Sequence, residues 1–206
     1  MTSEPIPSPA AVPLRVLTVS GSPNSPSATR AVLDAIAAQL TAAGAQVDML
    51  DLALEALLPF HPERSSKADG FATLKARVDA ADVLLLGTPD YHGSFSSTLK
   101  NFLDHFWQEY AGKLFATVVA SYDKGLTASD HLRTVARQTY AWSMPYALTF
   151  ADKADVKDGQ IINDTFRQRV EMFSRDLRVY GEALACQRRA DLAGTEPGFL
   201  ARLRKA

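Results

Sequence analysis

The sequence predicts an α/β fold, a three-layer sandwich with helices on both faces of a five-stranded parallel sheet in the order 2-1-3-4-5. Three observations lead there. Short apolar runs alternate with segments whose apolar residues recur at helical spacing, the pattern of a parallel sheet covered by helices. The run Val83-Leu84-Leu85-Leu86 is unbroken, as a strand buried on both faces should be. Two loops rich in Ser, Pro and Gly follow the first and third runs, and this strand order makes those strands neighbours at the switch point.

In chain order, Leu14 to Ser20 reads as the first strand, and Ser27 to Ala43 as a helix with Leu33, Ile36 and Leu40 on one face. Gly44 ends that helix, and Gln46 to Asp51 is the second strand. Residues 52 to 66 form a connecting loop, Ala68 to Ala80 a short helix, and Asp82 to Gly87 the third strand. Phe95 to Tyr110 reads as a helix with Leu99, Phe102, Leu103, Phe106 and Tyr110 on a broad apolar face. Lys113 to Ala120 is the fourth strand, Thr127 to Tyr140 a helix, and Met144 to Phe150 a fifth strand interrupted by Pro145. Asp164 to Cys186 is a long helix. The expected organisation is a flexible arm over 1–13, one domain over 14–187 and a solvated, arginine-rich tail over 188–206.

The 206 residues are 47% hydrophobic, enough for one domain with a sizeable core. A net charge of −1 gives no electrostatic case for nucleic acid or a membrane surface. No apolar run approaches the roughly 18–20 residues of a membrane span, and the first residues lack the form of a signal peptide. The single cysteine, Cys186, excludes an internal disulfide and reads as a structural thiol; a cytoplasmic location is the expectation. His61, His92, His105 and His131 show no metal-ligand spacing, so no metal is expected. Trp107 and Trp142 suit a ligand mouth, a subunit interface or the core.

The first loop runs Ser20-Gly21-Ser22-Pro23-Asn24-Ser25-Pro26-Ser27-Ala28-Thr29-Arg30. Unpaired amides at a helix start, with the hydroxyls of Ser22, Ser27 and Thr29, suit a phosphate. It is neither a Walker A loop nor Gly-x-Gly-x-x-Gly. Ordinary turn and cap chemistry explains the same composition. Arg30 reads as a surface charge. The second loop runs Thr88-Pro89-Asp90-Tyr91-His92-Gly93-Ser94-Phe95-Ser96-Ser97-Thr98-Leu99-Lys100-Asn101-Phe102-Leu103-Asp104.

These two stretches together resemble the NADPH-dependent FMN reductase family of flavodoxin-like proteins. In that family a Pro-x-Tyr segment, a Ser and Leu-Lys-Asn follow the third strand, and a Gly-Ser-x-x-x-x-Ser loop follows the first. The resemblance implies that Ser22, Ser27, Ala28 and Thr29 bind the phosphate of FMN. It implies that Pro89, Asp90, Tyr91, His92 and Gly93 run along the ring edge and ribityl chain, largely through backbone groups. A third loop, with Ser121, Tyr122 and Gly125, would close the other side of the ring. Ser97 stands where the family often has Gly, and the third loop has one Gly where a pair is frequent.

The implied activity is hydride transfer from NADPH or NADH to bound FMN and on to a small-molecule electron acceptor such as a flavin or quinone. Two half-reactions at one site imply ping-pong kinetics, with no catalytic side chain required. The aromatic stripe of Phe102, Phe106 and Tyr110 reads as core or as a subunit seam, and a homodimer or homotetramer is expected. The alternatives are a flavodoxin-like electron carrier, an FMN-binding protein without its own reductase activity, and a non-redox α/β enzyme that binds another phosphate ester. A carrier is usually strongly acidic, and this chain is not.

Overall fold

A computed structural model describes residues 12–204 of the chain. Most of the expected N-terminal arm, residues 1–11, lies outside the described residues, as do the last two. The sheet is built on β1 (Arg15–Ser20), which pairs in parallel with β2 (Gln46–Asp51) on one side and β3 (Val83–Tyr91) on the other. β3 pairs in parallel with β5 (Leu114–Ala120), and a two-residue strand β4 (Ser94–Phe95) folds back antiparallel onto the end of β3. The far edge of β5 carries β6 (Trp142–Ser143) and β7 (Leu148–Phe150), so the order is β2-β1-β3-β5 followed by β6 and β7. With the β4 hairpin set aside, this is the predicted 2-1-3-4-5.

Pro145 explains the split fifth strand. A proline gives no N–H to a ladder, and the chain resumes pairing only at Leu148. A small hairpin of β8 (Val156–Lys157) and β9 (Gln160–Ile161) follows, turned by Asp158 and Gly159, both at positive φ.

The helices are α1 (Ala28–Ala42), α2 (Phe71–Ala80), α3 (Ser97–Asp104), α4 (Leu126–Gln138) and α5 (Asp164–Ala193). One core layer joins Val16, Val83 and Leu85 to Val32, Leu33 and Ile36 of α1 and Val170, Phe173 and Leu177 of α5. The other joins Leu17, Val19, Leu84 and Leu86 to Leu74 and Val78 of α2, Leu99 and Phe102 of α3 and Leu132 of α4. Alternate residues of the central strands thus feed opposite layers.

Two expectations change. The helix expected over 95–110 covers only Ser97–Asp104, after which Gln108–Tyr110 form a 3₁₀ turn. Phe102, Phe106 and Tyr110 are buried in succession, with edge-on ring contacts at 5.8 and 6.0 Å and a further one from Tyr110 to Phe115 at 5.2 Å. The stripe is interior and cannot form a subunit seam. At the other end, α5 continues past Cys186 to Ala193; residues 193–199 are exposed, as expected of a solvated tail, but the chain then docks from Leu200. Leu200 is buried close to Gly112, Arg188 Nε donates to Ala111 O at 2.9 Å, and Arg204 Nε donates to Asp191 O at 2.8 Å. Arginine forks bonded to carbonyls satisfy charge where the sequence suggested solvent.

Among the described residues, Lys113 is the one lysine enclosed in the core, 1% exposed just before β5. Its Nζ donates to Val78 O and, at 3.1 Å, to Asp79 O, carbonyls of the last turn of α2. Burial pushes its ammonium down to about 7, and the positive charge of Arg188 acts in the same direction. An unfolded lysine titrates at 10.5, so between these values the unfolded chain binds a proton that the folded chain has released. Stability contributed through Lys113 therefore rises with pH across that window. In urea unfolding, wild type should gain on Lys113→Met as pH rises from about 7 to about 9.5. A difference between the two proteins that stays constant with pH would contradict this.

Candidate functional site

The three loops predicted to form one site converge at the C-terminal edge of the sheet, because β1, β3 and β5 are successive neighbours there. What joins the first two is a close backbone approach. Gly21 N–H donates to Gly87 O at 2.8 Å. A Cβ on Gly21 would sit 2.7 Å from Leu99 Cβ and 2.8 Å from Gly87 O. A Cβ on Gly87 would sit 2.6 Å from Leu33 Cδ1 and 2.9 Å from Thr29 Cγ2. Neither position has room for a side chain.

Ser96 completes the weld. Its Oγ donates to Gly21 O at 2.5 Å and accepts from Leu99 N–H at 3.1 Å as the N-cap of α3. Its own N–H donates to Thr88 Oγ1 at 2.9 Å. One buried hydroxyl therefore ties the first loop, the second loop and α3 together. Neither Ser96 nor Thr88 was among the expected site residues. The signal that could have found Ser96 is a serine three residues before the first apolar position of a helix.

The first loop has the donor chemistry of an anion site. Ser27 is the N-cap of α1, and its Oγ accepts from Arg30 N–H at 3.1 Å. Ser22 Oγ accepts from Asn24 N–H at 3.2 Å. Both hydroxyls have a lone pair engaged, and among the described residues neither donates its proton to the protein. The amides of Ala28 and Thr29 begin α1 with no intrahelical acceptor. Thr29 is buried, its methyl turned to Gly87. Ser20, not among the expected site residues, adds a further feature. It lies in one row with Asp51 and Gly87, is fully buried, and its Oγ has no partner among the described residues. Unsatisfied and free hydroxyls beside a helix N-terminus fit a phosphate ester. Arg30 is not free to add charge, since its Nε donates to Asp34 and its Nη1 to Asp51, each at 2.8 Å.

The second loop is a tight hairpin. Tyr91 pairs with Ser94 across a two-residue turn in which His92 has φ 56° and Gly93 φ 79°. Positive φ at both central positions is the type I′ geometry that matches strand twist. The third strand therefore runs on to Tyr91 instead of ending at Gly87. Asp90 holds the turn, as Gly93 N–H donates to its Oδ1 at 2.9 Å and Ser121 Oγ donates to its Oδ2 at 3.0 Å. That second bond joins the hairpin to the third loop. A further link, 3.1 Å between Ser94 Oγ and His131 Nδ1, fastens the hairpin to α4.

Pro89 and Asp90 are half-buried, whereas Tyr91, His92 and Tyr122 are exposed, Tyr122 at 86%. Gly125, at φ 64°, turns the third loop into α4. Trp107 and Trp142 lie elsewhere. Trp142 pairs with Leu114 at the start of β5, and Trp107 Nε1 donates to Gln138 O, so both stand at the opposite edge of the sheet from the loops.

One well-formed cavity lies away from these loops. It lies beside α2, has a volume of about 700 Å³, and is lined by residues including Leu50, Leu57, His61, Phe71, Leu74 and His105. A smaller one of about 360 Å³ touches Leu52, Ser97, Thr98 and Asn101. The hydroxyls and helix-start amides that suit an anion converge at the loops, and volume alone names no ligand.

Ser96→Ala should lower stability by about 1–3 kcal/mol, the sum of a lost cap and an orphaned carbonyl at Gly21. Amide exchange at Gly21, Ser22 and Asn24 should rise with it. Unfolding and exchange indistinguishable from wild type would show that the weld does not depend on this hydroxyl.

The chain matches the family described as NADPH-dependent FMN reductase over residues 14–155. It is 30% identical over 172 residues to an FMN-dependent NADPH-azoreductase of Staphylococcus haemolyticus (strain JCSC1435), covering 78% of this chain and 91% of that one. A protein of the same description from Staphylococcus aureus (strain USA300) is 36% identical over 107 residues, 48% of this chain and 56% of its own length. Among solved structures, an NADH:FMN oxidoreductase (EMOB) in its apo form aligns with a TM-score of 0.67 at 20% identity, covering 81% of this chain and 89% of that one. The flavoenzyme NAD(P)H:(acceptor) oxidoreductase FerB of Paracoccus denitrificans aligns with a TM-score of 0.66 at 18% identity, covering 82% and 98%. An archaeal flavodoxin aligns with a TM-score of 0.59 at 13% identity, covering 82% and 99%. The structural likenesses establish a flavodoxin-like fold, and the match over 14–155 with the azoreductase relative establishes more: this chain belongs to the NADPH-dependent FMN reductase family.

Proposed function

We propose that the chain takes hydride from NAD(P)H and delivers it to a small-molecule acceptor by a ping-pong mechanism, with FMN held between its first, second and third loops. As a member of its family it is an oxidoreductase that uses FMN and NAD(P)H. The observation that carries the placement is the pair of undonated hydroxyls, Ser22 and Ser27, beside the open amides of α1. When bound, FMN supplies the hydride chemistry that no side chain here offers.

The chain's own residues position and enclose. Ser22, Ser27 and the amides of Ala28 and Thr29 bind the phosphate. Pro89 to Gly93 present backbone groups along the ring and ribityl chain, and the Asp90 carboxylate fixes the hairpin that carries them. Ser121, Tyr122 and Gly125 border the other side of the ring. Exposed Tyr91 and His92 flank the opening where donor and acceptor enter in turn. The names of the relatives make an azo compound the first acceptor to test, with a quinone or free flavin as the alternatives.

We also propose a homodimer or homotetramer. With the α3 stripe buried, the apolar contact falls to the exposed cluster of Tyr140, Trp142 and Phe199, whose rings lie 6.3 and 6.5 Å apart at the far edge of the sheet. Steady-state rates with NADPH and an azo acceptor should give parallel double-reciprocal lines; intersecting lines would rule out ping-pong. Light scattering should give a multiple of the 22.4 kDa chain mass, and a monomer at working concentration would remove the oligomer.

A further inference from the structure

The cavity beside α2 has a chemistry of its own that the flavin site does not use. Its walls are apolar, formed by Leu50, Leu57, Phe71 and Leu74, and its volume of about 700 Å³ falls in the range of small-molecule sites. Its roof is held in place. Asn101 Oδ1 accepts from Phe60 N–H at 2.7 Å, and Asn101 Nδ2 donates to Leu58 O at 3.0 Å and Leu57 O at 3.3 Å. A ligand would not have to order that loop.

Two histidines line the cavity, and the backbone sets the tautomer of each. His105 Nδ1 lies 2.7 Å from Asn101 O. A carbonyl only accepts, so Nδ1 carries the proton, and the neutral ring presents Nε2 as an acceptor. Its ring meets Phe60 edge-on at 5.4 Å and lies 6.4 Å from Phe71. In His61 the roles are reversed. Nδ1 accepts from Glu63 N–H at 3.2 Å, so the neutral ring presents Nε2–H as a donor. The charged lining residues balance, two arginines (Arg64 and Arg77) against two acids (Glu55 and Asp69). Arg77 is further committed to Asp48 and Glu55. A neutral ligand fits such a lining better than an ion.

We propose that this cavity is a second ligand site, for a neutral planar aromatic molecule bearing a phenolic hydroxyl. The ring fills the apolar space between Leu57, Phe71 and Leu74. The hydroxyl proton is donated to His105 Nε2, and an oxygen lone pair of the ligand accepts from His61 Nε2–H. No part of this depends on the flavin reading, because none of the loop residues assigned to FMN lines the cavity.

The test is calorimetric titration of the full chain, loaded with FMN, by 1-naphthol and by 1-methoxynaphthalene, which keeps the ring and oxygen but cannot donate. Saturable binding of 1-naphthol, with the methyl ether at least about tenfold weaker, is expected. His105→Phe should erase the difference between the two probes. Ala56→Trp, at an exposed lining position, should weaken both. No saturation by 1-naphthol, equal affinity for the two probes, or affinity untouched by either substitution would overturn the proposal. So would release of FMN by 1-naphthol, which would put the probe in the flavin cleft. If the chain holds no FMN, the flavin reading fails, and the same titration on the chain as purified still decides this one.

Discussion

The site depends on how closely the ends of two strands approach. At the C-terminal edge of the sheet, Gly21 and Gly87 meet with a backbone hydrogen bond of 2.8 Å, and α1 and α3 close in from either side until no Cβ fits. This contact brings the start of α1 and the start of α3 to one place. Overpacking it would push whole helices apart, since Leu33, Thr29 and Leu99 are the neighbours that would have to move. Ser96 then fixes the arrangement from within, by bonding to the carbonyl of the glycine that makes the approach possible. The two loops are thus placed by the packed core.

The electrostatics follow from the same geometry. Asp51 is buried at the end of β2 beside Ser20, and Arg30 neutralises it from the first turn of α1. That ion pair leaves the start of α1 to neutral dipoles, namely hydroxyls and helix-start amides. Preoriented dipoles bind an anion without the desolvation cost of a buried cation. On the other side of the cleft, the carboxylate of Asp90 is spent on Gly93 and Ser121, which makes the hairpin and the third loop one unit. Side chains here serve mainly to shape backbone, which suits an enzyme whose chemistry resides in its cofactor.

The strand order was legible because the central strands are nearly pure apolar runs, and the first two loops because each sets Ser, Pro and Gly directly between such a run and a helix. Other features were written in the sequence and passed over. His92-Gly93 and Asp158-Gly159 are both two-residue hairpin turns, but His is a rare first partner in that pair, and the strand segments around Asp158 are only two residues long. The docked C-terminal residues were hidden by their arginines, whose forks bond to carbonyls and to Asp82. Phe102, Phe106 and Tyr110 show the limit of periodicity. Helical spacing marks a buried face, but it does not say whether core or partner buries it, and here the answer came from Phe115 and Phe71 on other elements. The tautomers of His61 and His105 lie beyond any sequence reading, since each is set by a backbone group at the end of a hydrogen bond.

The central claim is that the hydroxyls and amides at the start of α1 hold a phosphate. Its most direct test is the ratio of the affinities for FMN and for riboflavin, which lacks that group, measured by flavin fluorescence quenching in wild type and in the Ser22→Ala/Ser27→Ala protein. Wild type should prefer FMN strongly, and the double substitution should remove most of that preference while leaving riboflavin binding little changed. An FMN preference that survives intact in the double variant would contradict the account.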